Sequence, residues 1–245
     1  MNHVLQHSDA RPLDSAGSGG NGHPGDTKGH RSDGIEARNR LLDAALVLFG
    51  EKGFAKTSTR EIALAAQVNI ASISYYFGDK AGLYRAVFID PRCNPGSDFT
   101  LFDQPDMGLA QALRAMLIGF TEPLKQGHLI QACMKLHFRE MLEPTGVWRD
   151  EIDCSIKPAH SALVRVLCRH MGVTEADDDI HRLAFSVAGL GMMLQIGSDV
   201  FAAIRPNLIA SPEAIDQYAD RLVDYALAMV AAETGRRQQI ESAKK

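Results

Sequence analysis

Residues 57–80 read Thr57-Ser58-Thr59-Arg60-Glu61-Ile62-Ala63-Leu64-Ala65-Ala66-Gln67-Val68-Asn69-Ile70-Ala71-Ser72-Ile73-Ser74-Tyr75-Tyr76-Phe77-Gly78-Asp79-Lys80. The first five carry a Ser/Thr three residues before Glu61, the spacing at which hydroxyl and carboxylate cap each other's backbone N–H groups. A short helix is expected from there to about Ala66. Gln67-Val68-Asn69 makes a tight connection, and Asn69 suits the N-cap of a second short helix, Ile70 to Phe77. Gly78-Asp79 breaks the chain, and another helix starts near Lys80. Ile62, Ala63, Ala66, Val68, Ile73 and Phe77 give both short helices an inner face.

Upstream, Leu41, Leu42, Ala45, Leu46, Leu48 and Phe49 recur at helical spacing, and Gly53 ends that helix as a left-handed cap would. Two short helices joined by three or four residues and packed on a longer one make a helix-turn-helix unit, placed at 35–82. Periodicity alone fits any three-helix miniature core equally well.

Residues 1–34 are rich in Gly, Ser, Asp and His, cannot bury enough apolar surface to offset chain entropy, and are expected to be disordered. They contain no apolar run long enough for a signal peptide. Residues 83–240 read as a helical bundle. Its candidate helices, counting the one that begins at the end of the first unit, are 80–90, 106–125, 128–142, 145–171, 175–204 and 212–240. Pro91, Pro95, Pro105, Pro144, Pro206 and Pro212 fall near their breaks, and Pro123 and Pro158 predict kinks or early ends. With no strand alternation and no repeat, the fold class is all-α. Leu183 to Ile204 is apolar, but Gln195 and Asp199 interrupt it, so a buried bundle helix is preferred to a membrane span.

Of 245 residues, 26 are Lys or Arg and 30 are Asp or Glu, a net charge of −4 that excludes coating a polyanion by bulk charge. The charge is uneven: −1 over residues 1–34, +1 over 35–90 and −4 over 91–245. Cys93, Cys133, Cys154 and Cys168 form no CxxC pair and read as free thiols of a reducing, cytoplasmic compartment.

The stretch Thr57 to Lys80, with Ala-Leu-Val-Leu-Phe-Gly-Glu-Lys-Gly-Phe-Ala before it, resembles the DNA-binding signature of the TetR family. The wording Val68 to Lys80 is most similar to the CecR-like branch. That branch also carries an Arg-Glu-Met-x-x-Pro-Thr element, here Arg139-Glu140-Met141-Leu142-Glu143-Pro144-Thr145. Two positions depart from the family pattern. Gln67 stands where Gly is usual in the turn, and Ser74 where many members have Tyr. The resemblance implies a ligand-responsive transcriptional regulator, most simply a repressor. It would bind a palindromic double-stranded DNA operator as a homodimer and be released by a small apolar or aromatic effector, with control of efflux or detoxification genes. The alternative is a DNA-binding or partner-docking protein with no small-molecule ligand, its body serving only dimerisation.

The residues suit that role. Ile70, Ala71, Ser72, Ser74 and Tyr75 are small enough, or extended enough, to enter a major groove about 12 Å wide. Arg60 is the candidate for a bidentate guanine contact, the alternative being an ion pair with Glu61 or Glu36. Lys56, Ser58, Thr59, Tyr76 and Lys80 are placed for phosphates, which set register and not sequence. Asn69 and Lys80 sit at helix starts, where free backbone N–H groups favour an anion. Lys28 and Arg31 in the tail are further, weaker candidates.

In the bundle, Gly189 and Met192 lie on a smooth face, and Tyr218, Leu222, Ala226 and Met229 on a matching stripe. Both are read as dimer contacts, with an internal core face as the alternative. Phe120, Met134, His137, Phe138, Met141, Trp148, Ile152, His160, Met192 and Gln195 are candidates for lining an effector pocket. A plain core with satisfied histidines accounts for them equally well. His137 and Glu140 have the spacing of a metal-binding pair but no second pair, so no metal is expected. There is no nucleophile elbow, phosphate loop or paired catalytic carboxylate, so neither an enzyme nor a cofactor is expected.

Overall fold

The computed structural model describes residues 26–93 and 101–243, the first seven of them by backbone alone. Among these residues every regular element is helical. The chain divides into two units, Met1–Glu36 and Ala37–Lys245. The described part of the first is the opening of helix α1 (Asp26–Lys56), which begins inside the stretch expected to lack structure. Once strong formers nucleate a helix, each added residue costs little, so the turn can propagate backward into a weak sequence. Residues 1–25 lie outside the described residues, as do the side chains of Lys28, His30 and Arg31.

In the second unit α1 buries Leu41, Leu42, Ala45, Leu46 and Phe49. The helix is interrupted at Gly53, where φ is 82° and ψ 167°. The buried Thr57 hydroxyl holds this kink, lying 2.8 Å from the carbonyl of Gly53 and 3.1 Å from that of Leu48. Helices α2 (Thr59–Ala65), α3 (Ala71–Phe77) and α4 (Lys80–Phe88) follow as the spacing predicts. Ile62, Ile73, Leu83, Val87 and Phe88 close over α1 in one core.

The remaining helices are α5 (Leu109–Lys125), α6 (His128–Leu142), α7 (Val147–Glu151), α8 (Lys157–Met171), α9 (Asp178–Ile196), α10 (Ser198–Ile204) and α11 (Pro212–Ala243). Leu113 and Leu117 of α5, Leu163 and Leu167 of α8, Ile180 and Val187 of α9, and Leu222 and Ala226 of α11 share a second core. Helix α6 touches α5 and α9 but buries Cys133 and Leu136 in the core of α1–α4.

Two expected helices are broken. Residues 145–171 contain a π-helical turn, Ile152–Ile156, before α8. Pro158 has no N–H to donate, and the helix accommodates it by widening, with the Lys157 N–H reaching the carbonyl of Ile152. Residues 175–204 bend by 70° between α9 and α10. Among the described residues no single helix is long and apolar enough to cross a membrane. The bent pair would qualify on length and composition, but α9 buries Ile180, Leu183, Ala184, Val187 and Leu194 within the chain. Pro123 lies inside α5, which ends two residues later at Lys125.

The cysteines correct the sequence reading. Cys93 and Cys133 are joined in a disulfide, with Cα atoms 5.1 Å apart, while Cys154 and Cys168 are free. The pairing is tertiary, across a separation of 40 residues, and no local spacing announces it.

The Arg-Glu-Met-x-x-Pro-Thr element joins α6 to the first core. Glu140 is fully buried, and its carboxylate accepts from the Tyr84 hydroxyl of α4 at 2.6 Å and from the Thr145 N–H at 2.7 Å. Burial, and then the Glu140 carboxylate, raise the Tyr84 hydroxyl pKa well above the usual tyrosine range. Arg139 donates to the carbonyls of Gly50 at 3.3 Å and Glu51 at 3.0 Å, just before the kink in α1. Replacing Glu140 by Ala strands the Tyr84 O–H and the Thr145 N–H. Urea unfolding should show a loss of about 3 kcal/mol, with a smaller loss for Glu140→Gln, which keeps an acceptor. A loss under about 0.5 kcal/mol for Glu140→Ala would mean that this joint contributes little.

Candidate nucleic-acid interface

The helix-turn-helix is assembled by local hydrogen bonds that the residue types foretell. The Ser58 hydroxyl accepts the Glu61 N–H at 3.1 Å, and Glu61 Oε2 accepts the Ser58 N–H at 2.9 Å, completing the capping box. Lys52 donates to Glu61 at 2.9 Å. The Lys52 and Ser58 hydrogen bonds hold the Glu61 carboxyl down to about 2. The turn places Gln67 at φ 55°, the left-handed region in which the family's usual Gly is at ease. Arg40 of α1 donates to the Ala66 carbonyl at 3.2 Å and so secures the end of α2.

Only Ile73 of α3 is fully buried. Ile70, Ala71, Ser74 and Tyr75 face solvent, Tyr75 at 82% exposure, and Ser72 is half-buried. Tyr76 is also half-buried, its ring 4.9 Å from that of Tyr75 in an edge-on contact. The predicted reading face is therefore presented as one uncharged, exposed surface.

Arg60 is exposed beside it on α2. Glu61 is engaged by Lys52, and among the described residues Arg60 makes no ion pair. Lys56 is exposed at the end of α1, and Thr59 is half-buried. The Lys80 ammonium lies 4.5 Å from the centre of the Phe54 ring.

One part of the anion-site expectation is corrected. The Asn69 side chain already accepts the Ala71 N–H at 2.9 Å, and the Asp79 carboxylate accepts the Gly82 N–H at 2.7 Å. The chain's own oxygens thus occupy groups expected to be open to a phosphate. Ser58 likewise commits its hydroxyl to the capping box.

Sequence reasoning missed Gly82. A Cβ there would fall 1.9 Å from the Phe77 carbonyl oxygen, so only Gly allows α4 to approach the end of α3 this closely. The available signal was a glycine inside a helix, which usually marks close packing.

In the bundle, the residues expected to line one pocket are brought to several places. The Gln195 amide donates to the Phe120 carbonyl, and the Phe120 ring lies directly over Gly191. His137 instead faces the first core, its ring 4.4 Å from Phe88 and its Nδ1 2.9 Å from the Cys133 carbonyl. Trp148 packs on that core too. His160 pairs with His181 at 2.8 Å and stacks 4.2 Å from Phe185, a residue 63% exposed. Burial, and then His181, lower the His160 pKa. Met134, Phe138, Met141, Ile152 and Met192 are half-buried.

An open cleft of about 420 Å³ lies between α1 and the 65–67 turn, and one of about 120 Å³ between α1 and α6. Neither is lined by any of the ten expected residues. His137 and Glu140 point to different partners and do not converge on a metal site.

The expected dimer stripe also needs correction. Leu222 and Ala226 are buried inside the chain, and Tyr218 and Met229 pack against the same core. A helix offers apolar residues at the same period to its own core and to a partner, so spacing alone did not separate the two. Gly189 is exposed and Met192 half-buried. Exposed large apolar side chains in this region are Phe185, Met193 and Ile196 of α9, Val200 of α10 and Tyr225 of α11.

Residues 41–87 match the model of the bacterial regulatory proteins of the tetR family. Residues 109–232 match that of the C-terminal domain of the HTH-type transcriptional dual regulator CecR. CecR of Shigella flexneri is 32% identical over 178 residues, 68% of this chain and 78% of that protein. The probable HTH-type transcriptional regulator YttP of Bacillus subtilis is 49% identical over 49 residues, 20% of this chain and 24% of that protein.

Among solved structures, a tetR-family regulatory protein from Rhodococcus RHA1 is similar with a TM-score of 0.60. Its identity is 20%, covering 79% of this chain and 96% of that one. A SmeT–triclosan complex is similar with a TM-score of 0.57 and 19% identity, covering 78% of this chain and 90% of that one. The chain belongs to the TetR family of transcriptional regulators, with a CecR-type C-terminal domain. It is a DNA-binding regulator and not an enzyme.

Two substitutions at the reader should move stability in opposite directions. Gln67→Gly relieves the left-handed backbone and is expected to gain up to about 1 kcal/mol. Gly82→Ala forces α3 and α4 apart and is expected to lose about 1–3 kcal/mol, although Ala is the better helix former. Urea denaturation of the two variants measures both signs.

Proposed function

We propose that the chain is a repressor that holds a palindromic operator as a homodimer and releases it when a small apolar or aromatic effector binds the bundle. The observation that carries the reading is the exposed, uncharged outer face of α3 with the exposed Arg60, which makes no ion pair among the described residues, beside it. Methyl groups of Ile70 and Ala71 meet thymine methyls, and Ser72, Ser74 and Tyr75 supply hydroxyl contacts. Arg60 takes guanine edges. Lys56, Thr59, Tyr76 and Lys80 hold phosphates, and Ser58 and Asn69 contribute mainly by fixing the helix starts.

In this reading residues 35–82 are the reader, 83–240 the regulatory body, and the protein works in the cytoplasm. A second copy covers the face of Phe185, Gly189, Met193 and Ile196, because a contiguous exposed apolar stripe is the mark of an interface. Effector binding beside Phe120, Met192 and Gln195 displaces α6, and the Tyr84–Glu140 and Phe88–His137 contacts carry that movement to α4. A coupling of about 1–3 kcal/mol suffices.

The dispersal of the expected pocket residues favours a second reading, in which the body serves dimerisation alone. Loss of operator binding on adding apolar aromatic compounds, triclosan among them, supports the first reading. A crystal structure without a cavity in the body supports the second.

Arg60→Ala and Tyr75→Ala are each expected to weaken binding to the cognate duplex by about 1–3 kcal/mol, roughly five-fold or more. Wild-type affinity in both variants would refute the assigned interface. In sedimentation, the wild type should run as a dimer and Phe185→Glu/Met193→Glu as a monomer. A dimeric double variant would place the interface elsewhere.

A further inference from the structure

Two of the four cysteines meet where the reader joins the body. Cys93 closes the turn after α4, with its N–H donating to the Asp90 carbonyl at 2.8 Å. That turn is braced from the reader side. The Asp90 carboxylate accepts from the Arg92 guanidinium at 2.8 Å, and Arg92 reaches Asp43 of α1 at 2.7 Å. Cys133 sits within α6. Both cysteines are buried in the core that holds Tyr84, Phe88 and Leu136. Their Cα separation of 5.1 Å lies inside the range a disulfide requires. The other two thiols are unpaired: Cys154 is exposed, and burial pushes the Cys168 thiol up.

We propose that Cys93 and Cys133 form a reversible thiol–disulfide site through which this regulator responds to hydroperoxides. Cys93, the more accessible at 7% exposure against 1%, attacks first. Its sulfur takes the terminal oxygen of a hydroperoxide. The O–O bond breaks and the thiol proton leaves with the alcohol, so Cys93 becomes a sulfenic acid. The Cys133 sulfur then displaces that hydroxyl, which departs with the Cys133 proton as water. Two thiols and one hydroperoxide give one disulfide, one alcohol and one water, and two electrons pass from sulfur to peroxide. A dithiol reductant reverses the bond by exchange.

The bond ties the end of α4 covalently to α6. In the reduced protein non-covalent packing alone holds that end, and α4 can adjust as two reader units settle on DNA. Oxidation removes this adjustment and weakens operator binding about five-fold or more.

The test uses the full chain in a Cys154→Ser/Cys168→Ser background, treated with dithiothreitol or cumene hydroperoxide. Alkylation and peptide mass analysis read the thiols. Affinity is measured for a duplex that the reduced protein has enriched from a random pool. The expected result is a Cys93–Cys133 cross-linked peptide that dithiothreitol reverses, with affinity at least five-fold lower in the oxidised form. Cys93→Ser and Cys133→Ser should each abolish the response to peroxide. Thiols that stay alkylatable after peroxide overturn the site. A cross-link with a smaller decrease, or with tighter binding, overturns the switch. The reduced and oxidised forms of the same protein decide the matter even where a serine variant folds poorly.

Discussion

The Glu140 carboxylate, buried between α4 and α6, is the constraint on which the rest of the molecule depends. A carboxylate removed from water is costly unless its oxygens are partnered, and breaking such a set is strongly destabilising. Here the Tyr84 hydroxyl and the Thr145 N–H supply the partners, so α4 must pass at one height beside α6. Arg139, the adjacent residue, fixes α1 at the same level through the carbonyls of Gly50 and Glu51. One turn of α6 therefore positions α1, the first helix of the reader, and α4, which follows the recognition helix. The Arg-Glu-Met-x-x-Pro-Thr element, met in the sequence as a family signature, is the fastening between the two parts of the chain.

Helix α6 lies C-terminal to the reader in sequence, yet its Cys133 and Leu136 are buried with Phe49, Tyr84 and Phe88. Reader and body share a core through α6, and the second core is built from α5, α8, α9 and α11. A signal arriving at α6 has no loop to cross before it reaches α4. The charge distribution fits the same division of labour. The recognition helix holds no Lys or Arg, and in the proposed function affinity rests on a few placed contacts and on their duplication in a dimer. On that reading few phosphates are neutralised, which gives a shallow dependence on salt.

How much was legible follows from the range of the interactions. The Ser58–Glu61 capping box and the Asn69 cap are local, and residue type at fixed spacing announced both, whereas the left-handed Gln67 was signalled only by the Gly usual there in the family. The exposed face of α3 was legible for the same reason: Ile73 had to point inward, which left Ser74 and Tyr75 outside. The features that were missed depend on distant parts of the chain. Tyr84 and Glu140 are separated by 56 residues, and Cys93 and Cys133 by 40. Leu222 and Ala226 have the period of an interface and of a core alike, and only the packing of α11 on α5 and α9 assigns them to the core. Pro158 foretold a disturbance in the helix. That it would be met by a π-helical turn depended on how Lys157 and Ile152 could pair.

In the proposed function this reader, doubled by two-fold symmetry, recognises a palindrome through α3 and Arg60. Selection of duplexes by the full-length protein from a random pool, seeded with the gene's own upstream region, tests it most directly. The account predicts enrichment of one inverted repeat whose half-site centres lie about 10–10.5 base pairs, or a multiple of that, apart. Enrichment of no sequence, or of a single unsymmetrical site, would contradict it.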